Sequence, residues 1–277
     1  MMKISCCQTK SRLLQIRFAV MKRLIILLYS IISFGLALGQ CQGPKTPFSD
    51  GEKIRMDVYY HWGPLWLKAA RVELKTKESI KKGKKTWDIV ATGHTLPSYD
   101  WFFKVRDTFS VSILQDGFIP LNALRKTSEG GFISYGYYQF DPENNQVSIT
   151  SYNNKRPFEK KHFSLKGCTY DLLSGAYFAR TLDYTKKKSG EKIPISLVVD
   201  NQIYDVYFSF EGSDVITLRD GTQRRAWRFT SPTLEGTVFK GNEIITVWTT
   251  DDGTNFPLKV EAKILVGSVQ AFTIPQH

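Results

Sequence analysis

The sequence predicts an all-β fold: a single curled antiparallel β-sheet, or incompletely closed barrel, with one helix near residues 171–183. Three observations predict it. Apolar and polar residues alternate with period two through most of the chain after residue 50, the pattern of a sheet with one covered and one wet face. Turn-forming pairs such as Asp116-Gly117, Asp200-Asn201 and Asp220-Gly221 break that alternation at short intervals, as in a meander and unlike a series of βαβ units. A single segment keeps a helical period instead.

The elements follow in order. Ile54, Met56, Val58 and Tyr60 share one strand face, with Lys53, Arg55 and Asp57 on the other. Ala70, Val72 and Leu74 alternate with Arg71, Glu73 and Lys75, and Lys82-Gly83-Lys84 turns the chain into Trp87, Ile89 and Ala91. Phe109, Val111 and Ile113 run to Asp116-Gly117. The aromatic-rich stretch 132–140 stops at Asp141-Pro142-Glu143-Asn144-Asn145, ahead of Val147 and Ile149. Strands are expected over 193–199, 203–210, 215–218 and 226–229, and a last pair, 258–264 and 269–273, hinges near Gly267. In the helical segment Asp171 is an N-cap, and Leu172, Leu173, Ala176, Tyr177 and Leu182 form one apolar stripe. A lone helix in such a sheet is expected to cover its open end, because a bare sheet edge invites aggregation.

The start of the chain has a different character. Met21-Lys22-Arg23 is a short basic opening, residues 24–38 are an uninterrupted apolar run, and Ala37 and Gly39 are small. This is the pattern of a secretory signal peptide, with Met21 as the true start and cleavage after Gly39. Residues 1–20 are either an over-long gene start or an extended basic leader. The apolar run of 15 residues is shorter than the roughly 20 a spanning helix needs. The processed chain, 40–277, is therefore expected to be one β domain, periplasmic or extracellular, and no integral membrane protein.

Removing the leader changes the charge. The chain has 38 Lys+Arg and 26 Asp+Glu, a net +12; six of the basic residues and none of the acids lie in 1–39, which leaves 32 against 26, or +6. Half of the basicity leaves with the leader, and nucleic-acid binding loses its support. Of four cysteines, Cys6 and Cys7 lie in the leader. Cys41 and Cys168 remain, a candidate disulfide in an oxidising compartment. Lipidation of Cys41 would need a small residue before it, and Gln40 is not small.

Signals for chemistry are sparse. His61, His94, His162 and His277 lack metal-ligand spacing, and neither a Gly-x-Ser-x-Gly elbow nor a phosphate-cradling glycine loop is present. No metal or cofactor is expected. Asp107, Asp251 and Asp252 are the candidate catalytic carboxylates, because a glycosidase needs two facing each other; Asp251 and Asp252, as sequence neighbours, point to opposite faces of a strand. Trp101 and Phe103, in an aromatic cluster with Tyr99 and Phe102 and followed by Arg106, are candidate binding residues; the alternative is a set of core aromatics flanked by a surface ion pair. Arg180 either anchors a carboxylate across the sheet or lies in solvent. Lysine clusters at 81–82, 84–85, 160–161 and 186–188 are expected at turns or segment ends as solvated tips, the alternative being attraction to anionic envelope glycolipid.

Several of these pieces occur in a familiar order: Phe48-Ser49-Asp50-Gly51-Glu52, Val105-Arg106-Asp107, Ile119-Pro120, Asp171-Leu172-Leu173-Ser174 with Arg180, and Trp248-Thr249-Thr250-Asp251-Asp252 before Pro257-Leu258. In that order, over nearly all of the processed chain, they resemble an exported bacterial family of unknown function, domain of unknown function 3108. The resemblance implies a periplasmic or cell-surface β protein whose sheet is similar to the incompletely closed sheets of lipoprotein carriers, and it carries no activity. The functional expectation is a non-enzymatic cell-envelope protein that binds an apolar or amphipathic ligand or a partner, the partner classes being lipid, glycan or envelope protein. The alternatives are a carbohydrate-active hydrolase using paired carboxylates and a structural envelope assembly factor.

Overall fold

Each stretch of alternating residues becomes a strand because its apolar side chains meet equivalents on the next strand, the unit from which sheets gain stability. The computed structural model describes residues 46–233, 244–264 and 267–274; the expected signal segment and Cys41 lie outside the described residues. The first arm of the sheet comprises β1 (Lys53–Trp62), β2 (Leu65–Lys81), β3 (Lys84–Thr95), β4 (Arg106–Leu114), β5 (Ile119–Glu129), β6 (Phe132–Asp141), β7 (Gln146–Asn153) and β8 (Arg156–Ser164). A short β9 (Thr169–Tyr170) leads into helix α1 (Leu172–Arg180). The second arm is β10 (Glu191–Val199), β11 (Gln202–Thr217), β12 (Gln223–Pro232), β13 (Ile244–Thr250), β14 (Pro257–Lys263) and β15 (Ser268–Thr273).

Among the described residues these strands form one 15-stranded sheet, in the order β8 down to β1, then β15 down to β9. The first and last strands pair at its middle, Met56 opposite Thr273 and His61 opposite Ser268. Every neighbouring pair is antiparallel except β9 with β10. Turn chemistry follows the sequence closely. Asp200 and Asn201 both adopt positive φ, 46° and 63°, the two-residue hairpin geometry whose twist matches the flanking strands.

The two edges, β8 and β9, do not ladder together. β9 is two residues long, and β8 carries Arg156, Lys160 and Lys161, charges that discourage edge pairing. Lys160 and Lys161, expected at a segment end, thus lie inside an edge strand. Side chains draw the arms together where the backbone does not. Arg125 on β5 holds Asp200 at 2.5 Å, and the Asn201 amide donates to Glu159 on β8 at 2.7 Å. The sheet is curled and open, as its sequence predicts.

Helix α1 closes one end. Asp171 caps it, accepting from the Leu173 and Ser174 amides at 2.9 and 3.3 Å, while Ser174 Oγ accepts from the Asp171 N–H at 3.0 Å. The helix packs on β4, β9 and β10. Its buried face is Leu173, Ser174, Gly175, Tyr177 and Phe178 with Arg180; Leu172 and Ala176 are exposed. The expected stripe is therefore rotated by part of a turn. Gly175 decides the rotation: a Cβ there would lie 2.9 Å from Leu197 Cδ2 on β10, so the helix lays its smallest residue against the sheet.

Around α1 the core is aromatic. Tyr170 stacks on Phe178 with ring centroids 4.8 Å apart, and Phe48 meets Tyr177 and Trp87 edge-on at 5.1 and 5.3 Å. Tyr177 Oη shares a hydrogen bond with Thr76 of β2 at 3.1 Å. The Arg180 guanidinium grips both oxygens of Glu52, at 2.7 and 2.9 Å. Asn255, before β14, donates to the Arg180 and Leu182 carbonyls. These contacts pin the helix across the end of the sheet that carries the β2–β3, β4–β5 and β13–β14 turns.

Candidate functional site

The opposite end of the curl is built differently. In antiparallel ladders, directly paired residues project to the same face. Val247 pairs with Val260, Val260 with Ala271, Ala271 with Val58, and Val58 with Ala70. This row crosses β13, β14, β15, β1 and β2 on the face that elsewhere carries the core. Next to the helix, inward residues such as Ile89, Ile113 and Val147 are fully buried, at 0 % exposure. Every member of the five-strand row is only partly covered. The sheet thus presents a trough of small and branched apolar side chains that joins the main core at Val247 and otherwise runs on outside it.

A polar wall adjoins the trough. Val72 pairs with Gly93 and Gly93 with Asp107 on β4, so Asp107 faces inward in the next row. Its Oδ1 accepts from the Ser128 N–H at 3.1 Å. Burial pushes the Asp107 carboxyl up to about 6, with the neighbouring Glu129 carboxylate adding to the rise and the Ser128 bond opposing it. Arg125, one row nearer the helix, is held to Asp200.

The loop between β3 and β4 carries Trp101, Phe103 and Arg106. Arg106 is its fastening: Nη2 and Nη1 donate to the Asp100 carboxylate at 2.6 and 3.0 Å, and Nη1 also reaches the Val105 carbonyl at 2.6 Å. Thr95 Oγ1 completes the knot by donating to Asp100 at 2.7 Å. The Arg106 pairing holds the Asp100 carboxyl below its ordinary range. The aromatic rings are not core: Trp101 is 84 % and Phe102 77 % exposed. Phe103 lies over Gly130 in the β5–β6 turn, where any Cβ would strike its ring.

Three expected binding residues, Trp101, Phe103 and Arg106, therefore gather at the open end, and Arg106 pairs with Asp100, not with the adjacent Asp107. Arg180 is elsewhere, anchoring α1 to Glu52. The carboxylates proposed as a pair are not brought together. Asp107 is on β4; Asp251 and Asp252 follow β13, with five strands intervening in the sheet, roughly 29 Å along it at about 4.8 Å per strand. Asp251 is ion-paired with Arg225, and Asp252 accepts from the Thr250 and Thr254 hydroxyls at 2.7 and 2.6 Å. Both line an open, charged cleft of about 760 Å³ at the helix-plugged end, with Asp50, Glu52 and Asp220. Most of these carboxylates serve local structure: Asp50 accepts from the Glu78 amide, Asp220 closes its own turn on Thr222, and Glu52 holds Arg180. Among the described residues no three His, Cys, Asp or Glu gather where they could hold a metal ion, and no helix is long and apolar enough to cross a membrane.

The family model of DUF3108, a protein of unknown function, matches residues 55–273. The chain belongs to that family. No curated protein is similar to it. Among solved structures, a β-barrel-like protein of domain of unknown function DUF1849 from Brucella abortus is similar at 6 % identity and a TM-score of 0.49, over 80 % of this chain and 94 % of that one. A protein with YmcC-like fold from Bacteroides fragilis NCTC 9343 is similar at 8 % identity and a TM-score of 0.33, over 82 % and 95 %. The matched family region of this DUF3108 chain contains the trough, the aromatic loop and α1.

Sequence reading missed two things. The inward row beyond the helix was legible as strand faces, yet periodicity cannot say which stretch of a face the helix leaves bare. Trp62 and Leu65, at the β1–β2 tip, flank a Gly-Pro turn, and that hydrophobic hairpin tip was the available signal.

Proposed function

We propose that this DUF3108 protein works outside the cytoplasm and holds an apolar or amphipathic ligand, of the lipid class, in the open half of its curled sheet. One observation carries the reading: the partly covered apolar row Val247, Val260, Ala271, Val58 and Ala70, in a fold whose other half is tightly closed by an aromatic helix. The leader-like residues 21–39 support the location. Each methylene withdrawn from water into such a trough contributes ~0.8 kcal/mol, so an acyl segment of about ten carbons offers roughly 8 kcal/mol before ordering costs. A hydrolase reading draws less support, because its carboxylates are distributed to different elements and already partnered.

The test uses an uncharged fluorophore, 1-N-phenylnaphthylamine, whose emission rises in apolar surroundings. Wild-type protein is expected to take it up saturably and to release it to a long-chain fatty acid. Ala70→Trp, which fills the trough from β2, is expected to weaken uptake at least tenfold. Ile80→Trp, at the exposed far end of the same strand, serves as the matched control with wild-type uptake. Absence of saturable uptake, or equal uptake by the Ala70→Trp protein, overturns the reading. Native mass spectrometry of protein recovered from its own cell envelope then identifies the ligand.

A further inference from the structure

We propose that the edge bearing the β1–β2, β3–β4, β5–β6 and β7–β8 turns docks on the surface of an anionic membrane. The turns form one continuous structure. The Leu96 N–H donates to the Ala69 carbonyl at 2.8 Å, setting the β3–β4 loop beside β2, whose hairpin tip runs on to Leu65 and Trp62. The Gly130 N–H donates to the Lys104 carbonyl at 2.9 Å, and Asn154 bonds the Ile133 and Gly131 carbonyls across to the β7–β8 turn.

Along this edge the apolar side chains point into water. Trp62 is 57 %, Leu65 42 %, Trp101 84 %, Phe102 77 % and Ile133 50 % exposed. Scattered exposed apolar residues are ordinary, but a grouped set marks a contact surface. Arg106 and Thr95 hold Asp100 and so fix the loop that presents Trp101 and Phe102, which means the rings are displayed by a built structure.

Charge selects the partner. Lys104, Lys155 and Arg156 are exposed at the same edge. The carboxylates nearby are engaged by protein cations: Asp100 by Arg106, Asp200 by Arg125 and Glu159 by Lys161, with Lys104 and Arg156 adding to the field at Asp100 and Glu159. Tryptophan and phenylalanine beside exposed cations match the headgroup region of a bilayer, where aromatic rings settle at the interface. Each cation near an anionic surface adds about 1 kcal/mol. A protein partner would meet the same rings, but it would not need the exposed cations.

The experiment mixes the protein, as the producing cell processes it, with vesicles of phosphatidylethanolamine and phosphatidylglycerol, or of phosphatidylcholine alone. Cosedimentation with the anionic vesicles is expected, with weak binding to the neutral ones, and lipids brominated near the headgroup are expected to quench tryptophan emission. The double variant Trp101→Ser/Phe102→Ser is expected to lose at least tenfold in vesicle affinity. Lys104→Glu is expected to reduce the preference for anionic vesicles while the fold is kept. The Lys104→Glu protein should still take up 1-N-phenylnaphthylamine from solution, so failure here is distinct from failure of the trough reading. Wild-type protein that stays in the supernatant, or a double variant that sediments like wild type, overturns the proposal.

Discussion

Asp107 is a carboxylate turned inward on β4 beside an apolar trough, and its environment sets a measurable pH dependence. Burial, with Glu129 alongside, raises its titration from the ordinary 3.8 to about 6. The native state therefore binds this proton more tightly than the unfolded state does. By linkage, the group's contribution to stability falls as pH rises from about 3.8 to about 6 and is flat above. The side chain is partly exposed, so solvent screening reduces the effect to about 1 kcal/mol. Asp107→Asn retains an acceptor for the Ser128 N–H and is expected to remove that slope and stabilise the protein by about 1 kcal/mol at pH 7. Chemical denaturation of both proteins at pH 4, 5 and 7 checks it; parallel curves would show that Asp107 does not titrate this way. At this scale the sequence was informative about kind and poor about company. Trp101, Phe103 and Arg106 stand close together in the chain, so their grouping was legible. Asp107 acquires its character from Ser128 and Glu129 on another strand, which no local pattern reports.

Helix α1 shows what one element needs to stay seated. Its nine residues are too few to be stable alone, so its place rests on packing and on Arg180. That guanidinium is buried, bidentate to Glu52, and lies over the rings of Phe48 and Tyr177, each 5.2 Å away. Removing one partner of a buried ion pair leaves the other charge uncompensated. Arg180→Gln is accordingly expected to destabilise the fold by about 3 kcal/mol in equilibrium denaturation, with little change if the pair were merely decorative. The cap at Asp171 and the existence of the helix were readable from sequence. Its rotation was not, because Leu172, Leu173, Ala176 and Tyr177 offer two overlapping faces, and contact between Gly175 and Leu197 chose one of them. The lysines of β8 give the same lesson for strands: Lys160-Lys161 resembles a segment end in the chain, and becomes edge protection once β8 has no outer neighbour.

For the molecule as a whole, the pairing of β1 with β15 joins the two arms into one sheet, and the curl is held shut by side chains and by α1 without a closing ladder. Cys168 lies in the chain segment between the arms, partly covered against the main core. A bridge to Cys41 would tie the start of the processed chain to that segment. Closing so long a loop would stabilise the fold by about 4–5 kcal/mol in the chain-entropy model. Protein recovered after export is expected to resist thiol alkylation until reduced, and Cys168→Ala to lower the thermal midpoint under oxidising conditions only. Free thiols in unreduced protein would remove the bridge from the account.

Alternation of side chains along the chain determined the β class, many of the strands and turns and the single capped helix, because those depend on neighbours within a few residues. It split β11 at the bulge near Gly212 and left β8 and β13 unread. The order of the family's short motifs determined the family. The tertiary structure decided which half of the inward face the helix covers, which carboxylates meet, and that the loops bearing Trp62, Trp101 and Phe102 form one edge. Those outcomes depend on register between strands far apart in sequence and on how far a twisted sheet curls, quantities that no local pattern of residues encodes.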